Sequence, residues 1–183
     1  SGAQPLSVKM AGGVCLDVEC DEQRINRRID AGFCDKKLYD LDDVVELAKQ
    51  AKADEKPLSI GVVNNCADTH PYLLKQGFKP DIVTDQTSAH DELHGYVPAG
   101  FFGDNLEEAF ELRNSNPKKY MKHSLQSMKY HCKSILDFQK NGAIAFDYGN
   151  NLRGQAEKAG LSYAFDYPGF VPAYVRPLLA VGR

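Results

Sequence analysis

The sequence predicts an α/β fold, a mostly parallel sheet with helices on both faces. Two observations carry this expectation. Short apolar runs alternate with longer segments whose apolar residues recur every three to four positions, the pattern of strand–helix–strand units. The strand-like runs are apolar almost throughout, as in PLSIGVV at 57–63, which suits parallel strands buried on both faces. A third observation fixes where function should sit. Three runs end in polar residues, Glu19, Asn65 and Gln86, and strand C-termini in such sheets line the edge where ligands bind.

Each element follows in chain order. Residues 3–12 predict a short helix, with Pro5 in its first turn, where a missing N–H costs nothing. Residues 14–19 (VCLDVE) predict a strand, and 21–31 an amphipathic helix with Ile25 and Ile29 at i, i+4. Phe33 and Cys34 begin a short strand. Residues 41–53 predict a strong helix: Leu41, Val44, Val45, Leu47 and Ala48 form one face, with acids early and lysines late. The strand at 57–63 ends at Asn64-Asn65. A helix at 71–76 is stopped by Gly77, and residues 80–84 form a strand that runs into DQTSAH at 85–90. Residues 106–112 are helical, and Asn114-Ser-Asn-Pro117 breaks that helix. A long helix over 117–139 follows, with Met121, Leu125, Met128, Cys132, Ile135 and Phe138 as its apolar stripe. Residues 143–146 predict a strand, 154–158 a helix, 163–166 a last short strand and 172–180 a terminal helix.

Bulk properties exclude several classes. At 183 residues the chain predicts a single domain, residues 1–183, with a sizeable core. The net charge of −3, with no block of basic residues, argues against nucleic acid or an anionic membrane as partner. No apolar run reaches the ~18 residues of a membrane span, and no signal peptide is visible. The five cysteines (15, 20, 34, 66 and 132) are odd in number and never form CxxC. They read as reduced thiols of a cytoplasmic protein, with no disulfide frame and no metal site.

A dinucleotide site in a Rossmann-like fold needs a Gly-rich turn after the first strand, a helix N-terminus for the pyrophosphate and a later acid for the ribose hydroxyls. Glu19 stands where that acid belongs, and the helix at 3–12 stands where the pyrophosphate helix belongs. The first strand and its Gly-rich turn have no counterpart. The chain starts at Ser1-Gly2 without Met, so the expectation is a fragment of a longer protein or a trimmed chain.

The segments ADEKPLSIGVVNNCAD, PDIVTDQTSAHDELHGYVP, AIAFDYGNN and FDYPGFVPAYVRPL resemble the central part of the urocanase (urocanate hydratase) family, and SGAQP resembles its segment just after a GLGGM turn. The resemblance runs over essentially the whole chain. It implies a domain of an enzyme that hydrates urocanate to imidazolonepropionate in histidine degradation, using tightly bound NAD+ as an electrophile, in a homodimeric parent. It places NAD contacts at Ser1 (phosphate turn), Glu19 (ribose hydroxyls), Arg24 (adenosine end), Asn65 and Cys66 (the latter through its backbone), Gln86, Thr87, Ser88, Ala89 and His90, Tyr96 and Val97 closing that loop, and Tyr148 beside the nicotinamide. The family's catalytic cysteine lies in a signature resembling FQGLPARICW, which has no match here, so no residue of this chain is assigned catalysis. The fragment is expected to be inactive alone and to bind NAD weakly or not at all.

Other signals receive plainer readings. His90-Asp-Glu-Leu-His94 has the wrong order for an HExxH zinc helix, and His94 reads as a surface residue. His123 and His131 read as solvated histidines on a lysine-rich helix. Lys118, Lys119 and Lys122 read as a solvated face, Met121 and Met128 as core packing, Cys132 as a buried apolar residue and Arg176 as a structural charge. Asp147 and Asp166 form a possible acid pair of unfixed separation. The runner-up reading is a stand-alone α/β module for a nucleotide or sugar phosphate.

Overall fold

The computed structural model describes residues 2–181. Five strands are present among them: β1 (Val14–Glu19), β2 (Lys36–Leu38), β3 (Leu58–Val63), β4 (Ile82–Asp85) and β5 (Ile144–Asp147). The helices are α1 (Gln4–Met10), α2 (Glu22–Asp30), α3 (Leu41–Ala53), α4 (Cys66–Lys75), α5 (Leu106–Ser115), α6 (Pro117–Lys140), α7 (Leu152–Lys158) and α8 (Arg176–Ala180).

All strand pairings are parallel, as expected. They fall into two sheets, with orders β1-β3-β2 and β4-β5, in keeping with the expectation of a parallel fold whose first strand is missing. The strand order of a doubly wound dinucleotide fold, 3-2-1-4-5, accounts for the division. With β3 and β1 in places 3 and 2, and β4 and β5 in places 4 and 5, the interruption falls at place 1. That is the strand with no counterpart in the sequence. The halves are joined by packing: Leu16 and Phe78 touch both apolar clusters.

β3 is buried at every position, as the middle strand of a covered sheet must be. Gly61 is required there, because a Cβ would come within 2.5 Å of Ile25 Cγ2 on α2. Val44, Ala48 and Ala51 of α3 close one apolar cluster against Leu58, Ile60 and Val62 of β3. The larger cluster is organised by α6, whose Met128, Cys132, Ile135 and Phe138 are at most 1% exposed. The C-terminal part of the helical stripe read from the sequence, Met128 to Phe138, is therefore core, with Leu125 partly buried against it. Met121, expected in the core, is only half-buried and lines an open depression, because α6 there turns Tyr120 and Ser124 inward instead.

Several boundaries differ from expectation, four of them for a local reason that the structure shows. The strand expected at Phe33-Cys34 begins at Lys36, because Asp35 first locks onto Ser59 through both its amide and its carboxylate. α4 begins at Cys66, five residues before Pro71, because the Asn65 side chain caps it by accepting from Ala67 N at 2.9 Å. The strand expected at 163–166 is a run of turns. Its buried residues, Leu161, Ala164 and Tyr167, recur every three positions, a turn spacing and not the alternation of a strand. Pairing with β5 comes later, where Asp147 bridges Gly169. The terminal helix opens as a π-helical turn over Val171–Val175, since Pro177 has no N–H for the regular ladder.

Candidate functional site

Both β4 and β5 end in aspartate, and the strand register sets Asp85 beside Asp147. Each carboxylate is at most 4% exposed and folds the loop that follows it. Asp85 Oδ1 accepts from Thr87 N at 3.2 Å and Thr87 Oγ1 at 2.7 Å. Its other oxygen accepts from Asn150 Nδ2. Burial pushes the Asp85 carboxyl above the usual range, opposed by the bonds from Thr87 and Asn150. Asp147 accepts from Gly149 N at 3.0 Å and is held by Arg153 through Nε at 2.6 Å and Nη2 at 3.1 Å. The loops after β4 and β5 are then tied to each other: Ala89 N donates to Asn150 O at 3.1 Å, and Gln155 Nε2 donates to Ala89 O at 3.0 Å. Two motifs some sixty residues apart, DQTSAHD and FDYGNN, thus form one hydrogen-bonded unit.

Gly95 keeps the first loop tight. A Cβ at that position would lie 2.0 Å from Ser88 O and 2.5 Å from Asp91 O, so the chain folds back with no room for a side chain. Tyr96 follows, 4% exposed. Its backbone carbonyl accepts from Tyr120 and Ser124 hydroxyls on α6, and its own hydroxyl meets Asn65 Oδ1 at 3.4 Å and His131 Nδ1 at 3.1 Å. Asn65 Nδ2 donates to Val97 O at 2.8 Å and Pro98 O at 3.2 Å. The loop after β4 is thereby sewn to the end of β3. The end of β1 joins in turn, since Asn64 N donates to Glu19 O and Gly103 N to Cys20 O.

The expected contact residues can now be placed. Ser1 lies outside the described residues. Glu19 stands at the end of β1, but its carboxylate is engaged: Arg28 Nη2 donates to it at 3.2 Å, and Arg24 Nη1 lies 3.7 Å away. Arg24 is exposed and also pairs with Asp21. Asn65, Tyr96 and Val97 are brought together, with Cys66 as the first residue of α4. Gln86, Thr87, Ser88, Ala89 and His90 form the loop after β4. Within it Ala89 is fully buried, while Ser88 and His90 face solvent. Tyr148 follows β5, 39% exposed, with its ring 5.0 Å from that of Phe170. Its hydroxyl accepts from Gln4 Nε2 of α1 at 2.8 Å, which brings the start of the chain to this edge.

Other readings divide. His94 and His123 are exposed, and Lys118, Lys119 and Lys122 form a solvated face. His131 is not solvated: it is 0% exposed, and burial holds its imidazole neutral, with a pKa down to about 3. It occupies the apolar side of α6, one residue before Cys132. Asp166 is exposed, so Asp147 pairs with Asp85 across the strands and with Arg153, not with Asp166. The sequence reading missed Asp85, Asn150, Arg153 and Arg28. A signal existed, because PDIVTDQT and AIAFDYGN both carry an aspartate at the strand's last position.

Two open depressions lie away from these strand ends. One is lined by Glu92, Met121, Leu125 and Ala159, the other by Leu38, Asp43 and Leu47. All five cysteines are free, and no helix among the described residues is long and apolar enough to cross a membrane.

The described fold is α/β with parallel strands, and its polar strand ends meet on one side through hydrogen bonds. A family model described as the urocanase Rossmann-like domain matches residues 1–174. The chain therefore belongs to the urocanase Rossmann-like domain family.

Proposed function

We propose that this chain is the NAD-binding domain of a urocanate hydratase, the enzyme that adds water to urocanate to give imidazolonepropionate in histidine degradation. One observation carries the reading: the ends of β1, β3, β4 and β5 are linked by side-chain and backbone hydrogen bonds into a single polar edge, the position at which such folds bind dinucleotides.

The donor chemistry at that edge fits the cofactor. Ser88 and His90 present a hydroxyl and an imidazole to solvent. The Tyr148 ring, walled by Phe146 and Phe170, offers an aromatic face for the nicotinamide half. Glu19 suits the ribose hydroxyls once its partners Arg24 and Arg28 yield one carboxylate oxygen, and exposed Arg24 suits the adenosine end. The Cys66 amide stands at the start of α4, where N–H groups point outward. The chemistry that NAD+ supplies when bound is an electron-poor ring, toward which the urocanate imidazole is nucleophilic. The chain's own part is to hold and orient that ring. The catalytic groups are assigned to other segments of a homodimeric, cytoplasmic parent enzyme, and this domain alone is proposed to be inactive.

NAD+ at ten times its dissociation constant is expected to stabilise the domain by ~1.4 kcal/mol, which for a chain of this size raises Tm by roughly 3–5 °C. Binding is expected to be weak, so the scan needs millimolar NAD+. A Tm unmoved by NAD+ but raised by a sugar phosphate would favour the stand-alone module instead.

A further inference from the structure

Beneath the polar edge, α4 and α6 pack together and enclose a group of side chains that cofactor binding does not use. Cys66 and His70 stand one turn apart on the same face of α4. His131 faces them from α6. One ligand-competent atom from each, the thiol sulfur and a ring nitrogen of each histidine, lie within 4.8 Å of one another. The two imidazoles meet edge to face with ring centroids 4.9 Å apart.

Two of those nitrogens need an explanation. His70 Nδ1 and His131 Nε2 are buried and have no hydrogen-bond partner, although the residues are only 8% and 0% exposed. Buried polar atoms in folded proteins are normally satisfied. The surrounding network also tethers His131. The Tyr96 hydroxyl lies 3.4 Å from Asn65 Oδ1 and 3.1 Å from His131 Nδ1, which leaves Nε2 as the nitrogen without a partner. Nε2 lies 3.9 Å from Asp85 Oδ1. An unpartnered imidazole nitrogen, a buried carboxylate and a half-buried thiol gathered between two helices are satisfied together by a cation.

We propose that Cys66, His70 and His131 form a binding site for a divalent transition-metal ion of the zinc class. The proposal is independent of the NAD reading. A sulfur with two imidazoles selects zinc-like ions over magnesium or calcium, which require oxygen ligands. Zinc bonds of about 2.0–2.3 Å need only a modest closure of the observed spacing. Three protein ligands leave a fourth position open. Binding replaces the Cys66 S–H bond by an S–metal bond and releases the proton to solvent. Tyr96, bonded to the far nitrogen of His131, acts as the outer partner that orients such ligands, and the Asp85 carboxylate offsets the remaining charge. The ion would pin α4 to α6 directly under Asn65. It also revises the expectation that the cysteines and histidines hold no metal.

The test is titration of the purified, chelator-treated domain with Co2+ as a spectroscopic stand-in for zinc. The expected result is one ion per chain, visible bands of tetrahedral cobalt and a near-ultraviolet thiolate-to-cobalt band. Zinc should displace it stoichiometrically and raise Tm. Cys66→Ser should abolish the thiolate band and weaken affinity by at least ~100-fold, the upper end of what losing an outer partner costs, while Cys15→Ser should leave both unchanged. A wild-type titration without a thiolate band overturns the proposal and needs no variant. A band that survives in Cys66→Ser, or that disappears in Cys15→Ser, overturns it as well.

Discussion

Replacing Arg153 with methionine is expected to destabilise the domain by about 3–5 kcal/mol, the cost of leaving a buried charge unpaired. Asp147 is 1% exposed and receives two of its bonds from this guanidinium. The same side chain donates to Tyr167 O at 2.9 Å and lies over the rings of Phe165 and Tyr167, 5.0 and 5.5 Å from their centroids. It therefore joins the end of β5 to the segment that follows α7, and sets the backbone from which Tyr148 projects. With total stabilities of about 5–15 kcal/mol, a loss of this size takes a large share. Urea unfolding measures it, and the double variant Arg153→Met/Asp147→Asn separates the causes. If the cost arises from the stranded carboxylate, the double variant recovers most of it. If it stays as unstable as the single one, packing against Phe165 and Tyr167 is the larger contribution.

Alkaline pH should be as damaging. Burial, helped by nearby carboxylates, pushes the Cys15 and Cys20 thiols up to about 12, whereas an unfolded thiol titrates near ~8.5. Between those values the native chain keeps protons that the unfolded chain has released. The slope of stability with pH is proportional to protons bound unfolded minus protons bound native, and is negative here. The stabilisation is thus complete below the unfolded value and lost as pH rises toward about 12. Each thiol contributes up to ~1.4 kcal/mol per pH unit once the unfolded thiol is ionised, so between pH 8.5 and 10 the pair removes roughly 3 kcal/mol. Urea midpoints at both pH values check this. Cys15→Ala or Cys20→Ala should flatten the decline by one proton each, and an unchanged slope would show that those thiols are not the cause.

Much of the fold was legible because it rests on periodicity. β1 and α3 were read to the residue, since an unbroken apolar run and a clean amphipathic face are local signals. The site was harder, because its logic is not local. Asp85 and Asn150 are sixty-five positions apart, and nothing in either segment names the other. The resemblance supplied that link as family knowledge; the structure gives its physical content as a shared hydrogen-bond network. His131 reads as solvated because Lys129 and Lys133 stand two positions to either side, while burial is decided by the face it presents to α4. The break between the two sheets has the same character, since a strand reads identically whether or not another lies beside it. Glu19 was placed correctly at its strand end, but its partner Arg28, nine residues on, was not foreseen.

The central claim is that the linked strand ends form one NAD crevice. The most direct test is an amide-resolved NMR titration of the domain with NAD+. Shifts are expected at residues 65–67, 86–90 and 148–150 together, moving on a common binding curve. Shifts confined to the depression between α6 and α7, or none at millimolar NAD+, would contradict it.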